Sequence, residues 1–380
     1  MTVRPATSDD GLLEPESPAV PSDERAAAVL SVRDLKVSFA TDSGVVKAVD
    51  GVSFDAHRNE TVGIVGESGS GKTVTALAIM GLLPRTATIR GEVLYQGRNL
   101  LAMKEEPRRR LRGSKIAMVF QDALAALNPV FKVGHQIEEA IAVHRKMPRR
   151  ERRQRAVELL DVVGIPNAAK RARQYPHEYS GGMRQRAMIA MAIANEPDVL
   201  IADEPTTALD VTIQAQVLDV LERIQDRTES TIILITHDLG VVAGLADRVL
   251  VMYAGKHVET ASVSDVFYAP RHPYTMGLLA SLPRLDEDDR RQRLHTITGH
   301  PPSLINVPPG CAFHPRCLHA ELPDPCSTEV PELLPAGSAD HLSACHFRDR
   351  LVGRMPVTLP GEEPPRPDPP GPGDRQAEGS

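Results

Sequence analysis

The feature that most constrains the fold of this chain is a glycine-rich stretch at residues 66–73, with the sequence Gly-Glu-Ser-Gly-Ser-Gly-Lys-Thr. It fits the phosphate-binding loop pattern G-x-x-x-x-G-K-[ST]. The apolar residues 61–65 before it predict a strand, and residues 74–80 after it predict a helix. Because this is the context that the pattern requires, the sequence predicts a nucleotide phosphate site rather than an ordinary glycine turn.

Each residue of this loop has a predicted place around the phosphates. The glycines let successive backbone N–H groups converge on phosphate oxygens, and the positive end of the following helix adds to the attraction. Lys72 would reach the terminal phosphates, and the Thr73 hydroxyl would ligate Mg²⁺. The predicted nucleotide-binding residues here are Gly66, Glu67, Ser68, Gly69, Ser70, Gly71, Lys72 and Thr73.

Charge and hydropathy limit what the chain can bind. The 380 residues carry a formal net charge of −6, which argues against a nucleic-acid binder that acts through bulk positive charge. The arginine-rich runs at 108–112 and 149–153 are interpreted as solvated helix faces, with a polyanion patch as the alternative. No apolar run approaches the roughly 20 residues that span a bilayer, and no secretory leader opens the chain, so a cytoplasmic location is expected.

The two ends of the chain differ in composition from its middle. Residues 1–27 are rich in Pro, Ser, Asp and Glu and predict a disordered segment. Residues 351–380 are dominated by Pro, Gly and charge, and they predict a disordered tail. Chemistry is expected from neither end.

The middle of the chain predicts an α/β fold. Residues 29–39 and 45–54 alternate like antiparallel strands, and residues 133–164 have the apolar spacing of helices. Short β-branched runs separated by helical segments predict a parallel sheet covered on both faces. These runs are residues 116–120, 199–202, 232–235 and 249–252.

Two acids, Asp203 and Glu204, follow the apolar run at 199–202. Asp203 is suited to hold Mg²⁺ through water, and Glu204 to polarise an attacking water. The alternative is that both acids only cap the following helix.

A second glycine-rich helix start, Ser180-Gly181-Gly182, precedes these acids in the chain. Its hydroxyl and its backbone N–H groups could bind a second anion. A chain that binds one nucleotide does not need two such sites, and a turn between two helices is the alternative.

Together these motifs resemble those of the ATP-binding cassette (ABC) family over about residues 29–265. The phosphate loop, the Ser-Gly-Gly motif and the acidic pair stand in the family's order. Gln121 is similar to the family's Q-loop glutamine and His237 to its switch histidine. Phe39 stands where such proteins stack an aromatic ring on adenine.

The resemblance implies an ABC-type phosphate-loop NTPase cassette at residues 28–265. Such a cassette has a RecA-like parallel core, an antiparallel β subdomain and a helical subdomain, here at about residues 122–178. The implied cofactors are ATP and Mg²⁺, with the metal held by Thr73, Gln121 and Asp203.

The resemblance also implies how the site works. Glu204 would be the general base, His237 would position the γ-phosphate, and Lys72 would bind phosphate. In the family two cassettes pair head to tail, so the Ser-Gly-Gly motif of one closes over the nucleotide held by the other. The residues expected to act in trans are Ser180, Gly181 and Gly182.

The residues after the cassette resemble one particular group within the ABC family. Residues 266–279 and 310–317 resemble the region that follows the cassette in bacterial oligopeptide and dipeptide importers, so residues 266–350 are expected to form an importer-type extension.

All four cysteines lie in this expected extension, and in a cytosolic protein such clustering favours metal binding over disulfides. Zinc and unliganded thiols remain alternatives, while the resemblance favours a [4Fe–4S] cluster. The candidate ligands are Cys311, Cys317, Cys326 and Cys345.

The resulting hypothesis is the energy-coupling ATPase of a bacterial ABC importer for oligopeptides, dipeptides, nickel or related solutes. The implied partners are a second ABC ATPase subunit, two transmembrane permeases and an extracytoplasmic solute-binding protein, with no nucleic acid. The implied location is the cytoplasmic face of the inner membrane, as a peripheral protein. The alternatives are an ABC exporter, a soluble non-transport ABC ATPase, and a GTPase or nucleotide kinase, although no Asn-Lys-x-Asp guanine motif is present.

Overall fold

The computed structural model describes residues 27–122, 126–207, 209–282 and 297–351. The segments predicted to be disordered, 1–27 and 351–380, lie outside these ranges except for their residues 27 and 351.

Strands and helices alternate through the described ranges. The strands are β1 Leu30–Thr41, β2 Gly44–Ala56, β3 Thr61–Val65, β4 Ala87–Tyr95, β5 Arg98–Asn99, β6 Ile116–Val119, β7 Val199–Asp203, β8 Thr231–Thr236, β9 Arg248–Tyr253, β10 Lys256–Ser262, β11 Leu334–Ala336 and β12 Ser338–Ser343. The helices are α1 Lys72–Met80, α2 Glu105–Leu111, α3 Val133–His144, α4 Arg149–Val162, α5 Ala168–Arg171, α6 Gly181–Ala192, α7 Val211–Thr228, α8 Leu239–Leu245, α9 Val263–Tyr268 and α10 Pro273–Ala280. Short 3-10 helices are Pro176–Glu178 and His314–Arg316.

The strands form two sheets. An antiparallel sheet has the order β2-β1-β4-β5, and a mixed sheet of eight strands has the order β11-β12-β10-β9-β3-β8-β7-β6. In the mixed sheet β9, β3, β8, β7 and β6 run parallel. The predicted α/β arrangement, with a parallel core beside an antiparallel sheet, is therefore confirmed.

The parallel strands are buried on both faces. Leu200 and Ala202 of β7 belong to one apolar cluster, while Val199 and Ile201 of the same strand belong to another. The first cluster is covered by α3, α4, α6 and α7, and the second by α1 and the antiparallel sheet. Continuous runs of β-branched residues indicate buried parallel strands, because the side chains on both faces of such a strand pack against apolar residues.

The carboxyl ends of the parallel strands lie at one edge of the sheet, and this places the site. The phosphate loop follows β3, the two acids lie at the end of β7, and the histidine follows β8; these three strands are parallel neighbours in register. Residues that follow adjacent parallel strands meet at the same edge, where α/β proteins bind ligands.

The cysteine-bearing region continues the same mixed sheet. β12 pairs with β10 in antiparallel register, and β11 pairs with β12. The Glu259 carboxylate of β10 is fully buried and accepts hydrogen bonds from the His272 backbone N–H (3.1 Å) and from His341 Nε2 of β12 (2.8 Å). None of the helices in the described part of the chain is both long and apolar enough to cross a membrane.

Candidate nucleotide site

The loop at residues 66–73 joins β3 to α1, as the sequence predicts. Gly66 and Gly71 have positive φ values of 153° and 104°. A Cβ atom at Gly66 would lie 2.2 Å from the Met252 carbonyl oxygen, and one at Gly71 would lie 2.4 Å from that of Ala48. Both positions therefore require glycine, because any side chain would collide with backbone that cannot move aside.

The start of α1 is open to an anion. No side chain among the described residues caps this helix, whose N-cap residue is Gly71. The hydroxyl of Ser70, also in the loop, is buried and has no hydrogen-bond partner in the described part of the chain. Uncapped N–H groups and an unpartnered buried hydroxyl fit a phosphate ligand.

Lys72 is folded back onto the loop. Its Nζ donates to the carbonyl oxygens of Gly66 (2.8 Å) and Glu67 (3.0 Å), and the residue is only 5% exposed. Burial lowers the pKa of Lys72, while the nearby acids Glu204, Asp203 and Glu67 oppose that shift. A buried ammonium held by carbonyl groups is ready to exchange them for a phosphate anion.

Thr73 and Asp203 face each other across the site. The Thr73 hydroxyl donates to Asp203 Oδ1 at 3.2 Å, and Asp203 at the end of β7 is 2% exposed. Burial raises the pKa of Asp203, the hydrogen bond from Thr73 lowers it, and the charge of Glu204 raises it again. A hydroxyl and a carboxylate at this separation are oxygen donors of the type that Mg²⁺ binds.

The Glu204 carboxylate is contacted by two other predicted site residues, Gln121 and His237. It accepts hydrogen bonds from Gln121 Nε2 (2.7 Å) and from the Thr207 hydroxyl (2.8 Å), and His237 Nδ1 lies 3.4 Å away. The residue has a positive φ of 47°, which turns the chain sharply at the end of β7. The structure thus brings together Gln121, Glu204 and His237, which lie far apart in the sequence.

The Ser-Gly-Gly motif begins α6, away from these contacts. Ser180 is the exposed N-cap residue, and its hydroxyl accepts a hydrogen bond from the Met183 N–H at 3.3 Å. Gly182 is buried against α7, since a Cβ there would lie 2.3 Å from Ile213 Cγ2. Within the described ranges, the hydrogen bonds of Ser180 stay inside α6 and do not reach the phosphate loop.

Phe39 is not shown beside the loop. It lies in β1, pairs with Val46 of β2 and Ala87 of β4, and packs half-buried against the second apolar cluster. Its predicted stacking on adenine stays a prediction.

Three residues make contacts in the site region that the sequence did not assign to them. Thr207 holds Glu204, as described above. Tyr274 and Arg316 bind Glu67 in the phosphate loop from the C-terminal region. Nothing in the sequence links Arg316 to a loop 249 residues away.

The prediction of an iron–sulfur cluster is wrong. Across the described ranges, no group of three or more His, Cys, Asp or Glu residues is arranged so that it could hold a metal ion. The four thiols are free and line one small cavity, partly packed into the apolar core of this region. Burial raises the pKa of Cys317 to about 11 and that of Cys345 to about 12. The clustering of the cysteines in the sequence therefore reflects their packing around one cavity and not a metal site.

This geometry defines a phosphate-loop NTPase, and comparisons with known proteins specify which kind. The family model described as "ABC transporter" matches residues 49–207. The one described as "Oligopeptide/dipeptide transporter, C-terminal region" matches residues 258–323.

Individual relatives agree with these family matches. The dipeptide transport ATP-binding protein DppD of Bacillus subtilis is 54% identical over 291 residues, which cover 76% of this chain and 86% of the relative. The oligopeptide transport ATP-binding protein OppD of Mycobacterium tuberculosis is 53% identical over 332 residues. That match covers 87% of this chain and 54% of the relative, so this chain spans about half the length of the mycobacterial protein.

A solved structure supports the same fold. The dimeric structure of MJ0796, a bacterial ABC transporter cassette, is 27% identical with a TM-score of 0.56, covering 62% of this chain and 98% of that one. A post-hydrolysis state of the same cassette, bound to ADP and Pi, also matches with a TM-score of 0.56 at 26% identity. The chain belongs to the ABC transporter family, in the oligopeptide/dipeptide group of its ATP-binding proteins. The predicted cassette fold is confirmed, and the match at residues 258–323 to a transporter family favours the transport hypothesis over the non-transport alternatives.

Proposed function

We propose that this chain is the ATP-hydrolysing, energy-coupling subunit of a bacterial importer of oligopeptides or dipeptides. The observation that carries the proposal is the convergence of Gln121, Thr207 and His237 on Glu204. Next to Glu204, Asp203 accepts a hydrogen bond from Thr73 of the phosphate loop. The peptide class of the cargo rests on the names of the relatives, which are peptide transport ATP-binding proteins. Binding protein and permeases would select the individual peptide.

ATP is held mainly by the phosphate loop in this proposal. The uncapped N–H groups at the start of α1 bind the β- and γ-phosphates, together with Lys72. Lys72 then leaves the Gly66 and Glu67 carbonyls, and the buried anion supports its charged form.

Mg²⁺ fits the oxygen atoms that face the loop. Thr73 Oγ1, Asp203 and Gln121 would hold it, directly or through water. When bound, the ion neutralises charge that develops on the phosphate oxygens. The chain's own contribution is to fix the donors: Asp203 ends a fully buried strand, and Thr73 lies in the first turn of α1.

Glu204 is the proposed general base. A carboxylate that accepts two hydrogen bonds at fixed geometry can orient a water and accept its proton during attack on the γ-phosphate. His237 would contact the γ-phosphate from the end of β8, where it lies beside the same carboxylate.

The site is completed by a second cassette. Ser180 and Gly181 are exposed at the start of α6, beside the buried Gly182, and no hydrogen bond of Ser180 in the described ranges reaches the phosphate loop. These three residues would close over the nucleotide of a partner. The partner subunit would be a second copy or a related ATPase, and pairing is supported by the dimeric structure of the similar cassette.

Two membrane permeases and an extracytoplasmic binding protein complete the proposed assembly. The helices between Gln121 and Tyr179 would receive the permeases, which would place the chain at the cytoplasmic face of the inner membrane.

Beside Gln121 lies a groove of about 650 Å³ with largely apolar walls that include Leu77 and Met188. Such a groove can receive a partner helix, and Gln121 would report the bound state of the nucleotide to it.

The Glu204→Gln variant tests the base. The amide keeps the size and an acceptor oxygen but cannot take a proton, so turnover should fall at least about a hundredfold while ATP affinity stays near wild type. ATP hydrolysis by the assembled transporter, nucleotide binding by the chain, and uptake of a labelled tripeptide by cells measure the three quantities.

Glu222→Gln is a matched control, because Glu222 is an exposed glutamate on α7. It should leave hydrolysis and uptake unchanged. Near-normal steady-state turnover by Glu204→Gln would reject the assignment of the base, and normal tripeptide uptake in cells without the chain would reject the transport function.

A further inference from the structure

The second residue of the phosphate loop is held by the C-terminal region. Arg316 donates two parallel hydrogen bonds to the Glu67 carboxylate, from one guanidinium nitrogen to Oε2 at 2.7 Å and from the other to Oε1 at 3.0 Å. This forked contact is the strongest geometry for an arginine and a carboxylate, because it fixes orientation as well as distance.

Arg316 itself is held rigidly. Its side chain is 5% exposed, its Nε donates to the Thr298 carbonyl oxygen at 3.0 Å, and its guanidinium lies 5.8 Å from the ring centre of Tyr253. The hydrogen bonds to Glu67 raise its pKa further, so the guanidinium stays charged. The Arg316 side chain has therefore already lost its rotamer entropy on folding. The Glu67 carboxylate binds a guanidinium that is fixed in place.

A second group from the same region binds the backbone of Glu67. Its N–H donates to the Tyr274 hydroxyl of α10 at 2.8 Å. Tyr274 is fully buried and packs against Tyr253 and Phe313, with ring centres 4.6 and 5.4 Å apart. Both the backbone and the side chain of this loop residue are thus fixed from outside the loop.

The position of Glu67 bears directly on Lys72. The Glu67 carbonyl oxygen is one of the two acceptors of Lys72 Nζ, at 3.0 Å, and the Glu67 carboxylate is one of the charges that raise the lysine pKa. A shift of Glu67 would therefore move the resting place of the lysine. A misplacement of about 1 Å in a phosphate site is enough to lower activity by orders of magnitude.

Charge gives a second reason for this contact. Glu67 places a carboxylate in a loop built to receive a polyanion, and only 27% of its side chain is exposed to screening water. Without a fixed cation beside it, that charge would repel the nucleotide phosphates. The two hydrogen bonds from Arg316 neutralise the charge of the Glu67 carboxylate at its position in the loop.

We infer that Arg316 is a positioning residue for nucleotide binding, which fixes and neutralises Glu67 of the phosphate loop and thereby makes the C-terminal region part of the nucleotide site. This inference rests on the proposed function, since it concerns binding at the same loop. It predicts that nucleotide affinity depends on a residue far from the loop in sequence and outside the residues matched to the ABC transporter family.

The test is a double-mutant cycle on the full chain, with Mg²⁺ and ADP titrated by calorimetry. Arg316→Met should weaken ADP binding about tenfold, because it leaves the Glu67 carboxylate unpaired beside the phosphates. Glu67→Gln alone should weaken ADP binding less than Arg316→Met does, because the amide oxygen can still accept a hydrogen bond from Arg316 and no unpaired negative charge remains. Adding Glu67→Gln to Arg316→Met should recover most of the lost affinity, since the repelling charge is gone. Arg316→Lys, which keeps the charge without the fork, should fall between wild type and Arg316→Met.

Arg350→Met is the matched control in the same region. It breaks an ion pair with Glu321 whose side chains are 69% and 58% exposed, and it should not change ADP affinity. Thermal unfolding of every variant shows whether it is folded at the titration temperature.

The outcomes separate the inference from the proposed function. Wild-type affinity in Arg316→Met overturns the inference, and so does weak binding that Glu67→Gln fails to restore, because a merely structural arginine would behave in that way. If the wild-type chain itself binds no ADP, the proposed nucleotide function fails before the inference is reached.

Discussion

Burial shifts the pKa values of two charged residues of the site, Lys72 and Asp203, in opposite directions. It lowers the pKa of Lys72 and raises that of Asp203, since in both cases water that favours the charged form has been removed. Each residue therefore gains from a counter-charge. A nucleotide with its metal ion supplies both signs of charge at once, which is a physical reason for the chain to bind the complex in preference to either component alone.

Two buried histidines make the chain sensitive to acid. Burial lowers the pKa of His257 to about 4 and that of His272 to about 3, from an ordinary value of 6.5. The unfolded chain takes up these protons near pH 6.5 while the folded chain does not. Stability is therefore complete above about pH 6.5 and is lost as the pH falls toward 3, by at most about 1.4 kcal/mol per pH unit for each histidine.

The His272→Asn variant should flatten this dependence. His272 Nδ1 accepts the Tyr274 N–H at the start of α10, and asparagine can supply the same helix cap without taking up a proton. Urea unfolding at several pH values between 7.5 and 4.5 measures the slope. Parallel curves for the variant and the wild type would show that His272 does not contribute.

The sequence predicts most of the site at this scale because its residues lie in short motifs at strand ends. Glu204 and His237 follow β7 and β8, and parallel pairing brings such ends together. Arg316 could not be predicted, because its partner is chosen by tertiary packing 249 residues away. The cysteines gave a wrong prediction for the opposite reason. Their nearness in the sequence suggested a shared metal cluster, while the structure has four free thiols, two of them buried and two half-buried.

At the scale of elements, the packing of α6 on α7 depends on a missing side chain. Gly182 brings the start of α6 so close to Ile213 that a Cβ would lie 2.3 Å from its Cγ2 atom, whereas a Cβ at Gly181 would meet its nearest neighbour at 3.9 Å. Two adjacent glycines of one motif thus have different reasons to be glycine. One is required by packing within the chain, while the other faces outward.

The Gly182→Ala and Gly181→Ala variants distinguish these reasons. Gly182→Ala should lower the free energy of unfolding by about 1–3 kcal/mol through overpacking. Gly181→Ala should change it by less than about 0.5 kcal/mol. Denaturant unfolding measures both, and Ile213→Ala in the Gly182→Ala background should relieve part of the strain. Equal effects of the two alanines would contradict this account.

Strand type was predictable, but strand order was not. Apolar runs such as residues 232–235 identify buried parallel strands, because they match partners on both faces. The pair β11 and β12 carries no such signal: β11 is three residues long with Pro335 at its centre, and β12 contains mostly polar residues. Its place beside β10 is set by long-range pairing and by the buried Glu259, not by local pattern.

At the scale of the whole molecule, the proposed pairing of two cassettes would give each chain two half-sites, the phosphate loop and the Ser180 helix start. The phosphate loop and the Ser180 helix start are not joined by any hydrogen bond within the described ranges. Hydrolysis would then require a partner, and binding would not.

The Ser180→Asp variant separates these two requirements. Aspartate keeps the helix cap that Ser180 provides, but it places a negative charge where a partner's phosphates would lie. We expect ADP affinity of the single chain within about twofold of wild type, and a loss of at least about tenfold in turnover by the assembled pair. Lys72→Ala is the contrasting control, because it should weaken binding by the single chain as well. Reduced affinity in the isolated Ser180→Asp chain would mean that the serine acts in its own site.

The pairing of β10 with β12 also limits where the chain can be shortened without exposing a strand edge. The ABC transporter match ends at residue 207 and the predicted cassette ends at 265, yet the sheet that carries the phosphate loop continues to Ser343. A chain shortened before β11 would present β10 as a bare edge, with the Glu259 carboxylate stripped of its His341 partner. Because unpaired edges recruit strands from other molecules, we expect a chain shortened in this way to aggregate.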